Sequence, residues 1–187
     1  MSVFSNPVGT AGPDAAAYIA ALLQLLGDQD PLTVQGELLG EVRRLVGGLS
    51  REELLEPEAP GKWSILEVVS HLVDQELVNS YRLRAIVAED EPVIQGYDQD
   101  RWAARLRYRE IEIEDLLREL EALRGRNLRL YRQVSEGELD RVGIHTERGR
   151  ESARRLRALT AAHDLVHRRQ IERIQQSVGA AAVSPKP

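Results

Sequence analysis

The sequence contains no cysteine. That excludes disulfides, a protein thiol nucleophile, iron–sulfur clusters and every zinc site built with thiolates. Lysine is nearly absent as well. Lys62 and Lys186 stand alone, and the rest of the 25 basic residues are arginines, a bias that we read as compositional or thermal adaptation. Aromatic residues make up 4% of the chain, too few for base-stacking platforms. No apolar run approaches the roughly 18 residues of a membrane-spanning helix, so no membrane partner is expected. No basic start leads into an apolar stretch, so no secretory signal is expected and the cytoplasm is the expected compartment. The net charge of −5 argues against a general nucleic-acid binder. Gly-rich phosphate loops, internal repeats and sustained apolar/polar alternation are also missing, and no strand is expected.

What is there reads as helix. Of the 187 residues, 14–178 are expected to form a single helical domain. An aperiodic arm is expected over 1–13 and a fraying tail over 179–187. A helix from Asp14 to Leu26 is stopped by Gly27 and Pro31. A second spans Leu32 to Val46, with Leu38, Leu39, Val42, Leu45 and Val46 at helical spacing. Ser50/Glu53, Ser64/Glu67 and Ser135/Glu138 are each spaced as capping boxes. The first and last mark short turns, and the middle one starts a helix that continues to about Ala88. A short helix is expected near 101–106, a long one from Glu112 to Val134 and a final one from about Glu151 to Val178. Four long helices in a chain of this size predict an all-α four-helix bundle with short extra helices.

Four histidines are present: His71, His145, His163 and His167. His163 and His167 are one helical turn apart, on the stripe formed by Leu156, Leu159, Val166 and Ile174, so they point into the bundle. Two such imidazoles can bind one divalent metal, and the same pattern also fits two satisfied core histidines. His71 lies off the centre of its own helix's apolar stripe (Ile65, Val69, Leu72, Val73). Its face therefore does not establish it as a third ligand.

The segments PGKWSILEVVSHLVDQE (60–76), RAIVAEDEPVIQGYDQDRW and TAAHDLVHRRQIERI (160–174), in this order, resemble the DinB/YfiT-like family of metal-dependent enzymes. The resemblance covers most of the chain. It implies a bundle of up-down-down-up order, for which the connection from Glu89 to Glu110 leaves room. It also implies a divalent metal, nickel or zinc, held by His71, His163 and His167. The open coordination position would activate water or a small-molecule thiol, for hydrolysis or thiol transfer on a small substrate. The alternative is a non-catalytic metal- or ligand-binding stress-response protein. The chain departs from many relatives before its last helix, where it reads ERGRESARRL instead of a threonine-led segment.

Candidate helpers follow from position. Asp74 and Gln75 lie one turn after His71. Glu76 falls nearer the apolar stripe, and a desolvated acid suits general base work. His145, in a loop, resembles a histidine near the family's site. Asp164 points away from His163 and is expected at the rim or in a structural role. Tyr97, Asp98 and Asp100 could line the pocket mouth or serve as turn residues. Trp63 is expected to staple the helix that follows it, and Trp102 could be core, pocket wall or dimer contact. The arginines from Arg141 to Arg173 are expected to form a solvated face paired with carboxylates. Apolar residues around much of the 64–88 helix (Leu77, Val78, Tyr81, Leu83, Ile86) suggest a homodimer.

Overall fold

A computed structural model describes residues 13–183. The arm expected over 1–13 lies outside the described residues except for Pro13. Of the expected tail, only the backbone of 179–183 is described, as the end of the last helix.

Eight α-helices form among the described residues. They are α1 (Pro13–Leu26), α2 (Pro31–Val46), α3 (Arg51–Leu55), α4 (Ile65–Ala88), α5 (Gln99–Arg105), α6 (Ile113–Gln133), α7 (Glu136–Leu139) and α8 (Ala153–Val183). Local chemistry sets the starts. Asp30 caps α2 by accepting from the Thr33 N–H at 2.8 Å, with Pro31 in the first turn. All three Ser/Glu pairs close as complete capping boxes, ahead of α3, α4 and α7. Each satisfies two backbone donors that the helix itself cannot pair, an effect of about 1 kcal/mol.

The helix directions follow from which residues meet. Gln35 on α2 donates to the Arg157 carbonyl near the start of α8, and Gln175 near its end donates to the Leu45 carbonyl. These two helices therefore run parallel. Glu76 meets Asn127, and Leu83 and Ile86 pack in one cluster with Tyr131, whereas Ile65 to Val73 pack with Leu116 to Leu120. So α4 and α6 also run parallel. The α4–α8 seam is antiparallel, with Asn79 against Thr160 and His71 against His163. The bundle α2-α4-α6-α8 is thus up-down-down-up. Its main core joins Val42, Ile65, Leu66, Leu120, Ile171 and Ile174 from all four helices. Helix α1 lies outside on α8, burying Ile19, Leu22 and Leu26 against Leu159 and Leu165.

The expectation of no strands fails. Three short ones form: β1 (Val93–Ile94), β2 (Val142–His145) and β3 (Gly149–Ser152). β1 pairs parallel to β2, and β2 pairs antiparallel to β3. The sheet sits over the end of α4. A Cβ on Gly143 would stand 2.8 Å from Ile94 and 3.0 Å from Ile86, so only glycine allows β2 this close. Strands of two to four residues show almost no alternation to read, and here packing on Ile86 and Ile94 holds them. As a result α8 starts at Ala153, not Glu151, and His145 belongs to a strand and not a loop.

Candidate metal centre

Three histidines meet where α4 crosses α8. His163 Nε2 lies 3.1 Å from His71 Nε2 and 3.1 Å from His167 Nε2. All three ligand atoms fall within 4.8 Å of one another. Nitrogens about 2.1 Å from a shared ion at tetrahedral angles would be about 3.4 Å apart, so the spacing fits one cation. Hydrogen bonding alone fits poorly. His163 Nε2 carries one in-plane proton or one in-plane lone pair, and two nitrogens face it at equal distance.

The surroundings favour neutral rings with inward lone pairs. Burial pushes the pKa of His71 and His163 well below the ordinary imidazole value, and that of His167 down to about 4. Gln170 Oε1 accepts from His167 Nδ1 at 2.8 Å, which puts the proton on Nδ1 and leaves Nε2 free for a ligand bond. His71 is fully buried. Its ring packs 5.1 Å from that of Trp63, so this tryptophan, expected only to staple the helix, also walls the site.

A cleft opens beside His163, between α4, α8, α1 and the sheet. His71, Gln75, Asn79 and Arg82 recur at helical spacing along α4, and the last three line this cleft with Thr160 and Tyr97. Tyr97 donates to Gln75 Oε1 at 2.6 Å, and Gln75 in turn donates to Asn79. His145 reaches the same cleft from β2. Its Nδ1 accepts from the Glu147 N–H at 3.1 Å, so the proton sits on Nε2, which is buried and has no protein partner. Burial lowers its pKa to about 4, with Arg148 and Arg82 adding to the effect.

The acids proposed from sequence lie elsewhere. Asp74 accepts from the Tyr108 hydroxyl, and burial raises its pKa. Glu76 is buried as expected, but Arg124 and Asn127 hold its carboxylate at 2.9 Å and 2.7 Å. Neither lines the cleft. Asp98 caps α5 through the Arg101 N–H, which is turn chemistry, and Asp100 is exposed in its first turn. Trp102 packs against Tyr97 with ring centres 4.5 Å apart and the planes tilted by 43°.

Sequence reasoning missed Arg124. It is buried, and it joins four helices. Its Nη1 donates to Asp164 Oδ2 at 2.6 Å and to the Gln35 carbonyl at 2.8 Å, while Nη2 faces Glu76 Oε2 at 2.9 Å. Burial still raises the Asp164 carboxyl to about 6 despite this guanidinium. Asp164 therefore has a structural role, anchoring the turn of α8 that carries His163. The signal was available, because Leu120, Arg124, Asn127 and Tyr131 share one helical face, and polar residues interrupt its apolar stripe. On the outer face, Arg154 pairs with Glu136 and Asp140, Arg168 with Glu172 and Arg173 with Glu58. No described helix is long and apolar enough to cross a membrane.

Comparison with known proteins agrees with this geometry. The chain is 31% identical over 182 residues to a "Putative metal-dependent hydrolase" of Geobacillus thermodenitrificans, covering 96% of this chain and 94% of that one. It is 29% identical over 143 residues to "Putative metal-dependent hydrolase GK0616" of Geobacillus kaustophilus, covering 76% and 80%. The fold matches a solved structure, YfiT from Bacillus subtilis, described as "a probable metal-dependent hydrolase with an unusual four-helix bundle topology". That match has a TM-score of 0.73 at 20% identity over 94% of both chains. The family model of the DinB superfamily matches residues 37–171, and the chain belongs to that superfamily.

Proposed function

We propose that this chain is a divalent-metal-dependent enzyme whose ion, zinc or nickel, is held by His71, His163 and His167. The reaction is hydrolysis or thiol transfer on a small electrophilic substrate entering the cleft beside His163. The convergence of three Nε2 atoms on one point, with His71 and His167 buried and His163 half-buried at the cleft, carries this reading. Three neutral protein ligands leave a position open, which is the pattern of a reactive site and not of a sealed structural one. When bound there, the ion supplies Lewis acidity and lowers the pKa of a water or small-molecule thiol. With no cysteine in the chain, any thiol comes from a cosubstrate.

The chain's own residues do the positioning. Gln170 orients His167, Trp63 covers His71, and the Arg124 network fixes α8 against α4. We assign Glu76 and Asp74 to holding the helices, because protein groups already occupy their carboxylates. His145 offers an N–H to substrate in the cleft.

The test is a panel of activated esters, amides and low-molecular-weight thiols with electrophilic acceptors. It is run on metal-loaded protein and on His163→Ala, with helicity checked by circular dichroism. Turnover that requires metal and disappears in the variant is expected. Inactivity of fully loaded protein across the panel would favour a metal- or ligand-binding role instead.

A further inference from the structure

Arg82 stands out among the cleft residues. The residue is buried at 3% exposure, and none of the ion pairs among the described residues includes it. Nη2 donates to the Gln95 carbonyl at 2.7 Å, and the buried Nε has no protein partner. The guanidinium carbon stands 5.9 Å from the Tyr97 ring centre. His145, on the same cleft, is 2% exposed, and its Nε2–H has no protein partner. Two buried N–H donors, the Nε of the charged Arg82 and the Nε2 of His145, thus have no protein acceptor on two residues that line one cleft. A buried charge without a counter-charge is strongly unfavourable unless something compensates it.

Other charges nearby do not supply that acceptor. Glu151 is buried, but Arg148 takes both its oxygens, at 2.7 Å each. Glu147 is half-buried at the cleft mouth, where its carboxylate lies against Gly96.

We infer that the cleft binds the carboxylate of an organic acid through Arg82 and His145, with the rest of the molecule reaching toward the three histidines. Helix α4 sets the span. Eleven residues separate His71 from Arg82, about 16 Å along the axis at the helical rise. The carboxylate therefore stands at the end of the molecule away from the reacting carbon. Gln75, Asn79 and Thr160 lie between these ends and offer polar contacts along the way. This inference rests on the proposed function only in placing the reacting group at the histidines.

The test uses glutarate and its uncharged analogue glutaramide as calorimetric probes. Both are titrated into metal-free and zinc-loaded protein, with metal content measured on the same samples. Glutarate should bind metal-free parent protein and glutaramide should not. Arg82→Gln should weaken glutarate at least tenfold without changing zinc content, and Arg82→Lys should retain part of the binding. Glu147→Gln, which removes the competing charge at the mouth, should tighten it. Equal binding of glutarate and glutaramide to the parent would overturn the inference without needing any variant to fold. So would glutarate binding that requires zinc or survives Arg82→Gln intact. If the protein bound no metal but Arg82-dependent glutarate binding persisted, the proposed function would fail and this inference would stand.

Discussion

Arg124→Met should be among the most damaging single substitutions in the bundle. Arg124 is 5% exposed, and its guanidinium touches Glu76, Asp164 and the Gln35 carbonyl, at 2.9, 2.6 and 2.8 Å. Removing it leaves two buried carboxylates with no cation between them and a carbonyl with no donor from α6. Breaking a buried pair from one side typically costs about 3–5 kcal/mol, because the remaining charge keeps its desolvation penalty. Two carboxylates share this guanidinium, so the upper half of that range is expected. Urea unfolding at neutral pH, followed by circular dichroism, measures the loss as a fall in midpoint at unchanged slope. Adding Glu76→Leu and Asp164→Leu to Arg124→Met removes the stranded charges and should recover at least half of the loss. A single variant within 1 kcal/mol of the parent, or a triple variant no better than the single one, would refute the reasoning.

Two further outcomes follow from the histidines. Metal-free protein should lose stability as pH falls from 6.5 toward 4, because an imidazole whose folded pKa is depressed contributes stability above its unfolded pKa and loses it below. His167, lowered to about 4, accounts for about 3 kcal/mol, His145, also near 4, adds to that loss, and Asp164, raised to about 6, offsets part of it as it takes up a proton. His71 and His163 add to the loss in the same direction. A melting temperature flat across that window would contradict the assignment of buried neutral rings. Separately, Gln170→Ala should weaken zinc affinity about 10–100-fold with little change in stability, since it frees the His167 ring. Unchanged affinity in a competition titration with a chromophoric chelator would rule out that orienting role.

Most of the fold was legible because its signals are local. Three Ser/Glu capping pairs marked helix starts that the structure reproduces, and the i, i+4 spacing turned His163 and His167 inward together. His71 resisted the same reasoning for a physical reason. Helix α4 is enclosed by α6, α8, the sheet and the turn at Tyr108, so its burial extends well beyond one stripe. The residues Ile65, Val69 and Leu72 mark the face toward the main core, and His71 faces the α8 seam. Only the family resemblance singled it out. The strands were invisible because tertiary packing around Gly143 makes them, not alternation. Residues 76, 124 and 164 are far apart in sequence, and only the unusual polar pair Arg124 and Asn127 on an apolar face hinted at their meeting. Of the apolar residues that suggested a dimer, Leu83 and Ile86 are core, while Leu77 and Tyr81 are exposed.

The most direct test of the central claim is elemental analysis of tag-free protein after zinc loading and desalting. The triple variant His71→Ala, His163→Ala, His167→Ala is measured in parallel. Three converging imidazoles predict close to one divalent ion per chain in the parent and none in the variant. An equal metal content in both, or none in the parent at saturating zinc, would contradict the assignment of these histidines as a metal centre.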